Sequence, residues 1–171
     1  VPKEFHARFS CLAREYVYII HNAPYRNTTL GYKSLWVREK LQWDLVRSVI
    51  PNLLGEKNFA AFTRAALVKS GERTHRRIDS IRIIEEGYNA YVHIRGSGFL
   101  HNMVRILVGT LLDVARGGLE KEKVALILQS KNRIEAGVTL KPNALYFLYA
   151  EYKDYDQSGF INTLRERVLK A

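Results

Sequence analysis

Apolar positions along the chain change period several times, and each change marks an element. Residues Glu15 to His21 are rich in β-branched and aromatic side chains and run into Asn22-Ala23-Pro24, which predicts a strand stopped by a turn. On such a strand Tyr16, Tyr18 and Ile20 share one face. Pro24 to Ser34 has no period and reads as an exposed loop. From Trp36 to Leu54 the apolar residues Leu41, Leu45, Val49 and Leu53 recur every fourth position. This predicts a helix that Pro51 kinks or ends and that Gly55 stops. Arg77 to Glu86 and Asn89 to Arg95 flank Glu86-Gly87-Tyr88 and predict a hairpin. The second hairpin strand places Ala90, Val92 and Ile94 on one face and Tyr91, His93 and Arg95 on the other, the alternation of a half-buried strand.

Gly96-Ser97-Gly98 breaks that strand. A helix is predicted from Phe99 to Arg116, closed by Gly117-Gly118, and a shorter one from Glu120 to Ser130. A strand over Ala144 to Tyr152 and an amphipathic helix over Phe160 to Leu169 complete the series. Hairpins and helices without βαβ alternation give the α+β class, a mainly antiparallel sheet with helices packed on one face. No repeat or Gly/Ser-rich linker divides residues 1–171, so the chain reads as one unit. Folding at this length buries roughly 70% of the unfolded surface, enough for a sizeable core.

Charge adds a direction. Against 17 Asp+Glu stand 27 Lys+Arg, a formal net charge of +10, and such a field attracts polyanions. Nucleic acid leads the candidate partners, although membrane headgroups and acidic proteins answer to the same field. The run Arg73-Thr74-His75-Arg76-Arg77 offers phosphate contacts through Arg73, Arg76 and Arg77, or is a solvated face. Tyr91, His93 and Arg95 suit base stacking, or belong to the core. No apolar run approaches the roughly 18 residues of a membrane span, and no signal peptide opens the chain. With Cys11 as the only cysteine, a cytoplasmic location is expected. The histidines, at positions 6, 21, 75, 93 and 101, lack metal-ligand spacing, and Gly96-Ser97-Gly98 lacks the rest of a nucleotide-binding loop.

The segment Phe99 to Arg116 is apolar on nearly every face, so its helix should be buried, yet Arg105 sits in its middle. Its helical neighbours His101, Asn102, Val108 and Gly109 supply no carboxylate. An unpaired guanidinium in a dry interior costs on the order of several kcal/mol, so a carboxylate or a wet cleft must face it. A structural ion pair, an arginine reaching solvent and a functional site all satisfy that demand.

Several stretches together resemble one family. Phe5-His6-Ala7-Arg8-Phe9-Ser10, then Ala13-Arg14-Glu15-Tyr16-Val17-Tyr18, is similar to the FHARFSA segment and basic-x-Tyr-x-Tyr strand of the tRNA pseudouridine synthase A (TruA) family. Leu53 to Phe62 resembles its LLGxHDFxxF pattern, with Lys57 and Asn58 in place of His-Asp. Gly96 to Leu111 matches GxGFLxNMVRxxVGxL nearly letter for letter. Ala136 to Tyr146 resembles the AGPTAPPxGLYL entry to a strand, departing at Val138 and Ala144. Order and spacing are preserved from about Phe5 to Tyr152.

The resemblance implies half of a pseudouridine synthase fold and the conversion of uridine to pseudouridine in the anticodon stem-loop of tRNA, with no metal or organic cofactor. It implies catalytic roles for Arg105, as partner of an aspartate, and for Tyr16, which packs against the target base, with Arg14 and Arg8 beside Tyr16 in substrate binding. It also implies a homodimer for the full-length protein. The family's aspartate stands in an RTDAGVHA-type motif upstream of the Phe5 block. Asp44, Asp79, Asp113, Asp154 and Asp156 stand in nothing like it. The expectation is therefore the C-terminal half of a catalytic domain, able to bind RNA and inactive alone. The alternative is a stand-alone basic RNA-binding module without catalysis.

Overall fold

Twelve residues, Cys11–Asn22, form β1, the strand against which most of the sheet is built. A computed structural model describes residues 3–29 and 31–153. The strands Leu35–Val37 (β2), Gly55–Asn58 (β3), His75–Glu86 (β4), Asn89–Gly96 (β5) and Leu145–Tyr152 (β6) complete one six-stranded sheet. Its order is β2-β1-β5-β4-β3, and β6 lies against β1 on the edge it shares with β2. The β1–β2 pairing is parallel and the others are antiparallel, as the α+β reading requires. Glu86 pairs with Asn89, so Gly87 and Tyr88 make the two-residue turn of the predicted hairpin, with Gly87 at φ 57°.

Register puts Tyr18 opposite Val92 and Ile20 opposite Ala90 on one sheet face. Against that face pack Trp43–Val49 (α1) and Met103–Ala115 (α3), whose Val46, Val49, Met103, Leu107 and Leu111 are buried in the same cluster. Ala65–Lys69 (α2) and Lys123–Ser130 (α4) are shorter. The predicted helix over residues 36–54 is largely something else. Trp36 lies in β2, with its indole N–H donating to the Ala23 carbonyl at 3.0 Å, and α1 begins at Trp43. Pro51 then tightens the chain into a 3₁₀ turn, Ile50–Leu53, where a missing N–H costs nothing. The helix predicted from Phe99 starts at Met103, because Asn102 at φ 63° interrupts helical geometry. The predicted helix over 160–169 lies outside the described residues.

The expected half-buried character of β5 is a second departure, since both of its faces are covered. Tyr91 is 4% and His93 6% exposed. The strand lies between β1 and β4, and an acid from β1 meets its second face: Glu15, fully buried, accepts from Arg95 Nη1 at 2.7 Å and lies 2.9 Å from His93 Nε2. Arg95 also pairs with Glu151 of β6, and Arg77 with Asp79 at 2.7 Å. This leaves no open aromatic platform of Tyr91 and His93 for stacking bases.

Residues 136–141 cross the back of α3 as a strap. A side chain on Gly137 would place its β-carbon 2.5 Å from Thr110 N, and one on Gly109 would overlap the Val138 carbonyl oxygen. With neither present, the Gly137 N–H donates to Thr110 Oγ1 at 2.9 Å, and backbone rests on backbone. Gly137→Ala is expected to cost about 3 kcal/mol by overpacking. Gly118→Ala, whose β-carbon meets nothing nearer than 3.6 Å, should change stability by less than about 0.5 kcal/mol. Urea unfolding midpoints of the two variants check the contrast.

Candidate active site

Arg105 points from α3 toward the strap. Its Nε donates to the Leu140 carbonyl at 2.5 Å and its Nη1 to Asn102 Oδ1 at 3.0 Å, and the side chain is half-buried. Arginines 47, 73, 76, 77, 95 and 116 all form ion pairs. Arg105, like the half-buried Arg14 and Arg133, has no carboxylate within 4.0 Å among the described residues. The charge that the apolar helix carries is thus solvated by a carbonyl and an amide, both neutral acceptors, with Nη2 left over.

Tyr18 reaches the same strap. Its hydroxyl donates to the Lys141 carbonyl at 2.8 Å, one residue from the acceptor of Arg105. Burial pushes the Tyr18 phenol up to about 12, against the opposing charge of Arg105, which places that guanidinium within electrostatic reach. Tyr16 lies on the same face of β1, two residues and roughly 6–7 Å along the strand. Its half-buried ring packs edge-on against Phe99 and Phe147, each 5.3 Å away between centroids. Burial raises its phenol above the ordinary value, Arg14 opposes this and Cys11 adds to it. Tyr16 shares its strand face with Tyr18, whose hydroxyl meets the strap one residue from the carbonyl that takes Arg105.

Basic side chains gather at the Tyr16 end. Arg14 donates through Nη1 to the Ser97 carbonyl at 3.0 Å and through Nη2 to the Arg8 carbonyl at 2.5 Å. The position a β-carbon of Gly98 would take is 3.5 Å from Arg14 Nη1 and 3.9 Å from Arg76 Cδ, so the two arginines flank this loop. Burial lowers the Arg76 guanidinium from its usual value; Glu72, 3.6 Å away, opposes the shift, and the charges of Arg73 and Arg8 add to it. Arg14 and Arg76 thus converge, Arg8 lends its carbonyl while its guanidinium lies 5.7 Å from the centre of the Phe9 ring, and Arg73 lies 3.7 Å from Glu56. Arg77 does not join them. Strand alternation turns it to the opposite face, where Asp79 holds it. No group of three or more His, Cys, Asp or Glu able to hold a metal occurs among the described residues.

Pattern reading missed two features. Asn102 came up only as a neighbour lacking charge, although an amide three residues before an arginine on a helix is within reach of it. Glu15 went unremarked because an acid in an apolar strand carries no signal until register puts Arg95 opposite it.

The raised Tyr18 phenol gives a pH prediction. Folding favours its protonated form, so this contribution to stability is complete below about pH 10, the unfolded value, and disappears as pH rises to about 12. Tyr18→Phe should lose about 1 kcal/mol at neutral pH with the strap hydrogen bond. Its stability should then fall less steeply than the parent's between pH 10 and 12, as read from thermal melts across that range.

The model of a family described as tRNA pseudouridine synthase matches residues 49–153. A tRNA pseudouridine synthase A of Leptospira biflexa is 42% identical over 158 residues, spanning 92% of this chain and 60% of the relative. A protein of the same name from Leptospira interrogans is 37% identical over 94% of this chain and 79% of its own length. The corresponding figures for that of Hydrogenovibrio crunogenus are 35%, 90% and 58%. The chain therefore spans about 60% of the length of most of these curated relatives. Matches of this identity and extent, over a sheet and a buried arginine helix laid out as the motifs require, make the chain a member of the tRNA pseudouridine synthase family.

Proposed function

We propose that the chain is the portion of a tRNA pseudouridine synthase that carries the base-packing tyrosine and the charge-pairing arginine. The reaction is an isomerisation of uridine in the anticodon stem-loop: the N1–C1′ bond breaks, the uracil turns, C5 bonds to C1′, C5 gives up its proton and N1 takes one up. Atoms and electrons balance without a redox cofactor. The observation that carries this reading is Arg105, which sits on an apolar helix beside the tyrosine face with neutral acceptors and no carboxylate among the described residues. Such a guanidinium suits an aspartate delivered from elsewhere, since burying the pair together is less costly than burying either alone.

Tyr16 receives the uracil against its ring. Extracting a stacked nucleotide costs a few kcal/mol, of which stacking on an aromatic returns about 1–3. Arg8, Arg14 and Arg76 take the phosphates on either side, a role for which the convergence of Arg14 and Arg76 and a net charge of +10 provide the field. The aspartate motif is not in these 171 residues, so turnover needs polypeptide that supplies it, and the chain alone binds tRNA without isomerising it. The full-length protein acts as a homodimer in the cytoplasm. No helix among the described residues is long and apolar enough to cross a membrane.

Filter binding of tRNA across a salt series tests the basic cluster. The logarithm of affinity should fall linearly with that of salt concentration, and Arg14→Gln or Arg76→Gln should each reduce the slope by about 1. A salt-independent affinity would remove RNA from the account. For the chemistry, the chain is mixed with the part of the Leptospira biflexa relative that it does not span, and pseudouridine is counted in tRNA. Turnover is expected from the mixture and from neither piece. Arg105→Ala should lower turnover about 10²–10³-fold while leaving tRNA affinity within about twofold. Tyr16→Leu should also damage turnover, and normal rates in both variants would contradict the assignment.

A further inference from the structure

We propose that Asn102 is a positioning residue for Arg105, holding its guanidinium flat against the strap before any carboxylate arrives; this rests on reading Arg105 as a charge partner in the site. A guanidinium is planar and carries five N–H donors, so two anchors on different elements fix its plane. One anchor is the Leu140 carbonyl, which takes Nε–H, and the other is Asn102 Oδ1, which takes Nη1–H. With Nε occupied, a carboxylate cannot dock side-on across Nε and Nη2. What the site presents is the Nη2 end.

The backbone of Asn102 supports a dedicated role. It adopts φ 63° at the entry to α3, a left-handed conformation that glycine fills most easily and that asparagine tolerates better than other side chains. Asparagine at this position ordinarily hydrogen-bonds the first free N–H groups of its helix. Here the side chain makes no cap bond, and its oxygen faces Arg105. Because a guanidinium only donates, the amide oxygen is the atom that must face it. A turn alone would be served by glycine, so the side chain is spent on the arginine.

The other anchor is equally built. Tyr18 fixes the Lys141 carbonyl next to it, and Thr110 fixes the strap at Gly137, where Gly109 lets the backbones meet. Arginine is among the side chains with most rotamer freedom to lose. A holder removes that freedom during folding, so an arriving carboxylate meets a pre-oriented donor.

The test is nuclear magnetic resonance of the arginine Nε–H and Nη–H groups in the 171-residue chain, which reads both anchors without needing turnover. Arg105 Nε–H is expected to exchange with water at least about tenfold more slowly than that of exposed Arg38. Asn102→Gly, which keeps the left-handed backbone, should accelerate exchange of the Arg105 Nη1–H group about tenfold with the backbone amide spectrum otherwise retained. Asn102→Asp, whose carboxylate accepts more strongly, should slow it further, and this variant decides the matter if the glycine variant does not fold. Exchange as fast as that of Arg38 in the parent, or no change in a folded variant, overturns the proposal. Slow, Asn102-dependent exchange in a chain that yields no pseudouridine when complemented would remove the synthase reading and leave the holder. Free exchange in an active mixture would do the reverse.

Discussion

The contact between the 136–141 strap and α3 is the constraint on which the site depends. Two glycines, 109 and 137, let one backbone lie on the other at a separation no β-carbon permits, and Thr110 ties them with a hydrogen bond. Only at that closeness do the Leu140 and Lys141 carbonyls reach Arg105 and Tyr18. A helix apolar on nearly every face can then carry a cation, because backbone dipoles replace part of the water it has lost. Packing and chemistry are joined here, since the glycines that let the strap approach also bring the Arg105 acceptor into place.

The two faces of the sheet divide the work. Toward the helices, β1 presents Arg14, Tyr16 and Tyr18, graded from basic and accessible to buried. On the reverse, Glu15 collects His93 and Arg95, and Glu151 and Asp79 answer the remaining charge. A buried acid with two basic partners adds little net stability, because desolvation offsets much of the attraction. On the reverse face the basic groups meet acids, whereas among the described residues Arg105 meets only neutral partners. Strand alternation also separates Arg76, which lies beside Gly98 with Arg14, from its neighbour Arg77, held by Asp79.

Much of this was legible in the chain. The hairpin of β4 and β5 followed from alternation around Gly87, and the burial of α3 from its unbroken apolar character. Arg105 declared itself by contrast with its surroundings. The helix from Trp36 did not survive, because a fourfold apolar spacing cannot report that Trp36 pairs as a short strand with β1, a contact set by register. Alternation in β5 named its faces correctly and misjudged their exposure, for the position of the strand between β1 and β4 and the acid that meets His93 and Arg95 are set by pairing across the sheet. Asn102 and the strap were invisible as a holder, since left-handed backbone and glycine-to-glycine contact are properties of the assembled fold.

The central claim is that Arg105 waits for a carboxylate not among the described residues. A crystal structure of the chain assembled with the remainder of a synthase measures it directly, through the distance from the Arg105 guanidinium to the nearest carboxylate oxygen. The account predicts an aspartate of the added polypeptide within ion-pair distance of Nη2, on the face that Tyr16 shares. An Arg105 paired instead with an Asp or Glu of these 171 residues, or facing no carboxylate at all, would contradict it.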